Sequence, residues 1–442
     1  MITILDGSAH PSGGRFVLNS WVCAVKALAA DPRATLATRV ESVAARGAED
    51  TGPQGHISAL DGVRGAAILL VMIYHFATSL AVLHIAVPMH RALQFGWCGV
   101  DVFFTLSGFL ITGILVDSRG SPHFFRNFYG RRALRIFPLY FGAVVVVAAL
   151  TLALPNAGVW GDHSTLTSPG SLLWPALFLE NVALALHDPA TSGILTHFWT
   201  LAVEEHFYLL WPLLIWASRS PRQILTCAAI AAVASLAGRA IVLTEGADLG
   251  SLIGLTPLRI DGLAIGALAA VLVRTVGDGR LARPAMVAMG TSAMLLVALL
   301  VVRRSVWQSD PAIWLAAYPL TSLFAAATIL TALGGGVMAR LLSAPFLRWF
   351  GRYSYGLYVW HPIINVLLLH SRLSPISGGA DPAAVLAFCG VALCLDLIVA
   401  WASYHCWEKG FLRLKRYLEP NGERASRGGV SLPHPPSTEQ PL

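Results

Sequence analysis

Apolar runs long enough to cross a bilayer recur from residue 59 to residue 405, separated by short polar stretches. They fall at about 59–84, 95–116, 137–154, 197–217, 222–243, 256–273, 285–302, 312–333, 353–371 and 383–405, each near the ~20 residues a membrane-crossing helix requires. The expectation is an all-α polytopic membrane protein with about ten transmembrane helices. An eleventh run, 171–187 (SLLWPALFLENVALALH), is shorter and is interrupted by Pro175, Glu180 and Asn181.

Loop charge decides whether that eleventh run spans. The stretch DSRGSPHFFRNFYGRRALR, between the second and third spans, carries five arginines against one aspartate, and such loops stay in the cytoplasm. With 171–187 left out, the basic loops SRSPR (218–222), RTVGDGRLARP (274–284), ARLLSAPFLRWFGR (339–352) and KGFLRLKR (409–416) all fall inside. With it spanning, all four move outside. Residues 171–187 therefore read as a re-entrant or interfacial piece, with Arg303–Arg304 the one outside exception. The protein is expected in the inner membrane with both termini cytoplasmic.

Composition agrees with the pattern. Of 442 residues, 55% are apolar and 12% charged, with mean hydropathy +0.64, whereas a soluble protein carries about 25% charged residues. The formal charge is +7, but the basic residues sit mostly in short loops, where they report topology rather than nucleic-acid binding. The six cysteines form no C-x-x-C pair and no cluster at metal spacing, so no metal is expected. Residues 1–55, with five basic and five acidic residues and no basic n-region followed by an apolar core, read as a cytoplasmic extension or the product of an upstream start codon, not a secretory signal. The membrane domain occupies 56–417, and 418–442, polar and Pro-rich, read as a disordered tail.

Several ionisable residues interrupt the apolar runs, where each costs about 2.5–3.5 kcal/mol on insertion scales and faces a cavity or a partner. In LDGVRGAAILLVMIYHF, Arg64 and His75 lie eleven residues apart. Eleven steps of 100° fall within about 20° of three turns, so the two share a face, roughly 16 Å apart along the axis. Asp101 and Ser107 lie in the second span. Glu204 and Glu205 lie in the fourth, with His197 seven residues before Glu204 and on its face. Arg259 and Asp261 mark the outer entrance of the sixth, and His361, followed by Pro362, lies inside the ninth. Arg64, Arg131, Arg132 and Arg135 line the cytoplasmic side. Carboxylates around a buried histidine, with arginines on one face, suit an anionic cytoplasmic reactant meeting a second reactant at or beyond mid-membrane. Histidine titrates near neutrality and can act there as general base.

Each residue also has a structural reading. His75 could make an interhelical hydrogen bond, Arg64 could snorkel, and Asp101 could complement a helix dipole. Arg259 and Asp261 could be an interfacial ion pair, and Arg131, Arg132 and Arg135 pure topology signals. Ser107 reads as helix packing rather than as a nucleophile. Glu204 and Glu205 point about 100° apart, so one faces the site, with Glu205 narrowly preferred.

The stretches LDGVRGAAILLVMIYHF, GVDVFFTLSGFLIT, RRALRIFPLYF, HFWTLAVEEHFYLLWPLL, RIDGLAIGALAA and GRYSYGLYVWHP, in this order, resemble the membrane-bound acyltransferase 3 family, which transfers O-acyl groups to cell-surface sugars and related acceptors. The resemblance covers residues 59–362 by motif and the apolar region to about 410 by layout. It implies acyl-CoA, usually acetyl-CoA, as cytoplasmic donor and co-substrate, with no bound cofactor. The acceptor it implies is a hydroxyl of an exopolysaccharide, O-antigen, lipid-linked sugar or small molecule. By match to the first-span motif, Arg64 and His75 take the family's essential pair. His206 stands where many relatives have glutamine, and RIFP replaces RIYP. The extracytoplasmic hydrolase-like domain of some relatives is not expected here.

The expected mechanism places Arg64, with Arg131, Arg132 or Arg135, on the phosphates of acyl-CoA. His75, oriented by Asp101 or Glu205, then either deprotonates the acceptor or carries the acyl group transiently. Glu204, Arg259, Asp261 and His361 are expected to support the site or the acceptor. A macrolide-like secreted acceptor is the alternative within this chemistry. A proton-coupled glycan transporter is the alternative outside it, although no internal repeat supports it.

Overall fold

The structure is a computed structural model that describes residues 57–82, 90–153, 173–187, 194–308, 310–369, 371 and 382–418. The expected N-terminal extension 1–55, and the expected tail beyond Leu418, lie outside the described residues. Among those residues the chain is helical, without strands, as a backbone in lipid must be when it pairs within its own segment.

Ten long helices are built: α1 (Ser58–Val82), α2 (Gly99–Asp117), α3 (Phe124–Ala153), α4 (Trp199–Ala217), α5 (Pro221–Thr244), α6 (Thr256–Val276), α7 (Asp278–Arg303), α8 (Tyr318–Leu333), α9 (Pro345–Leu369) and α10 (Pro382–Ser403). Eight of them lie in segments long and apolar enough to cross a membrane. The other two are α4, with Glu204, Glu205 and His206, and α9, with Arg348, Arg352 and His361. Glu204, Glu205 and His361 are among the polar residues the sequence singles out.

Side-chain pairings give the relative directions of the helices. Ser107 meets Glu204 and Thr112 meets Trp211, so α2 and α4 run parallel. Asp101 meets Arg259 and Asp117 meets Arg274, so α2 and α6 run parallel too. Asp61 packs on Gly351 and His75 on His361, which makes α1 parallel to α9. Helices of the same parity run the same way. A spanning segment between α3 and α4 would reverse α4 against α2, so the piece at 173–187 does not cross. It folds back instead, as short helices Leu173–Ala176 and Glu180–Ala185. Tyr140 of α3 donates to Pro175 O and to Glu180, and Asn181 Nδ2 donates to Gly254 O and Thr256 Oγ1.

Two backbone crossings draw the site's helices together. A Cβ on Gly65 would lie 1.9 Å from Leu347 O, and one on Gly351 would lie 2.0 Å from Asp61 O. Gly108 and Gly266 do the same for α2 and α6, at 1.9 Å from Leu263 O and 2.0 Å from Thr105 O. Lipid gives no hydrophobic drive between helices, so this close packing supplies the attraction. α6 is the most enclosed of the eight apolar segments, 72% buried, and α7 the least, 17%. Bulky apolar side chains of α3, α5 and α7 such as Val145, Val233 and Val302 are exposed and face lipid.

Candidate active site

The α1–α9 crossing sets His75 against His361. His361 is fully buried, its Nδ1 lies 2.7 Å from Leu357 O, and its Nε2 lies 3.3 Å from His75 Nδ1. His75 Nδ1 is also 2.9 Å from Val71 O. A carbonyl can only accept, so in the neutral rings each Nδ1 holds the hydrogen. His361 Nε2 then offers a lone pair to the His75 Nδ1–H, and His75 Nε2 is the basic nitrogen. Pro362 leaves Tyr358 O without its helical donor, yet α9 continues through it to Leu369. A third histidine, His197, lies in the Thr196–Phe198 turn before α4, its ring 6.5 Å from that of His361. Its backbone carbonyl accepts from Tyr358 OH at 2.8 Å. Among the described residues no group of His, Cys, Asp or Glu is arranged to hold a metal.

Beside this cluster, a partly open cavity runs between α1, α2, α3, α4 and α9. Arg64, Arg132 and Arg135 line its basic end, Ser107, Glu204 and Tyr208 its middle, and Thr200 and Tyr358 its far end. Ser107 Oγ donates to Glu204 Oε1 at 2.7 Å and Tyr208 OH donates to Glu204 Oε2 at 2.9 Å. Arg64 Nη1 donates to Asp61 Oδ1 at 3.1 Å, with both side chains 21% exposed. Arg132 lies 6.0 Å from the rings of Phe128 and Tyr208, and its Nε is buried without a partner. Tyr358 closes the end nearest the histidines, its ring 6.2 Å from that of His361.

The sequence-derived candidates divide on this geometry. Arg64, Arg132, Arg135 and Glu204 meet at the cavity, while His75 and His361 pair behind its far end. Glu205, the preferred carboxylate, does not line the cavity; it stands a 100° step from Glu204, its Oε1 buried without a partner. Arg131 turns the other way and donates through Nε to Leu418 O at 3.2 Å. The orienting partner observed at His75 Nδ1 is a histidine rather than Asp101 or Glu205. Asp101 instead accepts from Arg259 Nη2 at 2.7 Å, in a pair 3% and 2% exposed. Arg259 and Asp261 do not pair with each other. Two residues apart, they point about 200° away from one another, and Asp261 takes Arg239 of α5 at 2.6 Å. The Arg259 guanidinium also stacks 3.7 Å from the centre of the Tyr318 ring. These two ion pairs tie α2, α6 and α5 together beside the cavity, not inside it.

Ser107, Tyr208, Thr200, Tyr358 and Arg239 belong to the arrangement beyond the expected set. Arg239 had a readable signal, a lone charge in LAGRAIVL. Tyr208 stands one turn after Glu204, the spacing of side-chain partners on a helix. Thr200 and Tyr358 had none.

A family model described as an acyltransferase domain matches residues 57–401. Among curated proteins, the chain is 27% identical over 370 residues to the "Putative peptidoglycan O-acetyltransferase YrhL" of Bacillus subtilis, covering 80% of this chain and 54% of that protein. It is 27% identical over 331 residues to the peptidoglycan O-acetyltransferase OatA of Listeria monocytogenes, covering 70% and 50%. It is 25% identical over 323 residues to the O-acetyltransferase OatA of Staphylococcus aureus, covering 70% and 51%. The chain thus spans about half the length of the curated relatives it matches. No solved structure matches it.

Proposed function

The chain belongs to the family of acyltransferase domains, and from that membership we propose that it transfers an acyl group, acetyl above all, from cytoplasmic acyl-CoA to a hydroxyl of a cell-envelope glycan. The observation that most supports this is the cavity, cationic at one end and ending at Tyr358 beside the His75–His361 pair. Arg64, Arg132 and Arg135 hold the donor's phosphates, the planar guanidinium being suited to two-pronged contact with phosphate oxygens. The thioester points toward the histidines.

His75 acts through Nε2. It takes the proton of the acceptor hydroxyl as that oxygen bonds to the thioester carbonyl carbon. The carbon–sulfur bond then breaks, and the departing thiolate recovers the proton from His75. During the step the imidazolium is steadied at Nδ1–H by Val71 O and His361 Nε2. In the covalent variant His75 Nε2 bonds to the thioester carbon and the thiolate leaves; the acceptor oxygen then bonds to that carbon as the bond to Nε2 breaks, and the hydroxyl proton ends on the thiolate. Both relatives named as peptidoglycan O-acetyltransferases make peptidoglycan or its precursor the first acceptor to try. Exopolysaccharide, O-antigen and lipid-linked sugars offer the same hydroxyl chemistry.

The test uses membranes with the wild type or His75→Gln, supplied with acetyl-CoA labelled in the acetyl group. Label in glycan with the wild type, and none with the variant, is the expected result. Label on the protein in the absence of acceptor selects the covalent variant. Label in a secreted small molecule alone moves the acceptor class. Absence of transfer from folded wild type supplied with each glycan class overturns the reading.

A further inference from the structure

The loop KGFLRLKR enters the sequence reading only as a topology signal, and its place in the structure gives it a second meaning. After α10 the chain continues through the Tyr404–Glu408 turn, a short helix Lys409–Leu414 and a final 3₁₀ turn Lys415–Leu418. It runs back along α3. Trp407 Nε1 donates to Pro138 O at 3.0 Å. At the other end Leu418 sits over Gly130, where a Cβ would come within 2.7 Å of Leu418 Cδ1, and Arg131 Nε donates to Leu418 O. The segment is therefore anchored at both ends, and its last turn lies beside the arginines of the cavity's basic end.

In a 3₁₀ turn residues three apart eclipse one another. Lys415 thus shares the face of Leu418, the face laid on α3, while Arg413, Arg416 and Tyr417 are exposed. The charges that act most strongly on Lys415 are Arg135, Arg132, Arg131 and Arg64, all of its own sign. Among the described residues no carboxylate pairs with it. Asp61 accepts from Arg64, Glu408 accepts from Ser403, Glu204 takes its two hydroxyls, and Glu205 acts on Arg132 rather than on Lys415. Arg64 has Asp61, and Glu204 and Glu205 act on Arg132, but Lys415 faces cations with no carboxylate of its own, and a ligand with several negative charges relieves that repulsion.

We propose that Lys415 completes a phosphate-binding ring with Arg132, Arg135 and Arg64, so that the chain's C-terminal turn forms one wall of the anion site. The ligand chemistry is a phosphate ester or diphosphate. The donor of the proposed reaction carries it, and so do anionic lipid headgroups. The donor source rests on the functional reading above; the phosphate chemistry does not.

The test measures binding of coenzyme A to the purified full chain in nanodiscs of phosphatidylcholine alone, and retention of phosphatidylglycerol by the chain in mixed nanodiscs. Wild type is compared with Lys415→Gln, Lys415→Arg and Lys409→Gln, the last an exposed cation on the same segment. A charge-assisted contact of this kind predicts about tenfold weaker coenzyme A binding in Lys415→Gln. Lys415→Arg stays close to wild type and Lys409→Gln is unchanged. That pattern in pure phosphatidylcholine assigns the site to the donor. Wild-type coenzyme A binding in Lys415→Gln, with phosphatidylglycerol retention lost, assigns it to a lipid headgroup. No change in either measurement overturns the proposal. If wild type binds no coenzyme A, the donor reading falls, and the lipid measurement still decides whether Lys415 holds phosphate.

Discussion

The hydrogen on His75 Nδ1 lies between two acceptors, Val71 O at 2.9 Å and His361 Nε2 at 3.3 Å. This geometry keeps the lone pair on Nε2, the nitrogen that the proposed reaction uses. General-base catalysis contributes about 10²–10⁴-fold, so His75→Gln is expected to lower kcat by that order, read as acetyl transferred per enzyme. His361 acts through His75, as a positioning residue. His361→Ala is expected to lower kcat about tenfold, a small part of that general-base contribution, with KM for the donor unchanged. An equal rise in KM would place His361 on the donor instead. His361→Gln, whose amide oxygen can accept the same hydrogen, is expected to recover part of the rate. The carboxylates make a sharper comparison. Glu204 lines the cavity and accepts two hydroxyl hydrogens, whereas Glu205 does not line it. Glu204→Gln is expected to impair transfer more than Glu205→Gln, measured side by side at saturating donor. The sequence leaves the two nearly level, because helical spacing separates adjacent faces by 100° without saying which of them meets a cavity built by four other helices.

Pairs of helices are where sequence reading stops short. The shared face of Arg64 and His75 on α1 follows from spacing, yet the partners of such buried groups lie far along the chain. His361 is 286 residues from His75, and Arg259 is 158 from Asp101. A buried charge announces that it has a partner without saying which, so Asp101 reads equally well as a support for His75. Its observed partner makes a different prediction. Removing one member of a buried ion pair strands the other, at a cost of about 3–5 kcal/mol. Asp101→Leu is therefore expected to lower thermal stability of the solubilised protein by several degrees, and Asp101→Leu with Arg259→Met to restore much of it. A double variant no more stable than the single one would detach Asp101 from Arg259. The glycine crossings carry a related expectation. Gly266→Val sets methyl groups where Thr105 O already stands and should prevent α2 and α6 from closing, leaving little monodisperse protein on size-exclusion chromatography. Gly390, with nothing within 4 Å of its Cβ position, should tolerate alanine.

Orientation in the membrane joins these levels, since a cytoplasmic donor requires Arg64, Arg132 and Arg135 to face the cytoplasm. The same-parity helices run parallel, so a single loop on a known side fixes every other. The four basic loops after α4 then lie with the arginines of the cavity, as the positive-inside rule asks. Arg303 and Arg304 stand at the opposite end. There Arg303 Nη2 lies 3.1 Å from Asp310 Oδ2, while Asp310 Oδ1 also accepts from Ala312 N at 2.9 Å. One of the two exceptional charges is thus matched by a carboxylate that also starts the next helical turn, which softens its conflict with the rule. The decisive measurement places single cysteines in a chain whose native cysteines are replaced by serine, and treats intact cells with a membrane-impermeant maleimide. Trp307→Cys, beside Arg304, should react in intact cells. Gly279→Cys, in the first turn of α7 within the basic stretch 274–284, should react only after the cells are opened. The reverse pattern would put the arginines of the cavity outside, where no cytoplasmic acyl-CoA reaches them, and the proposed donor would fall with it.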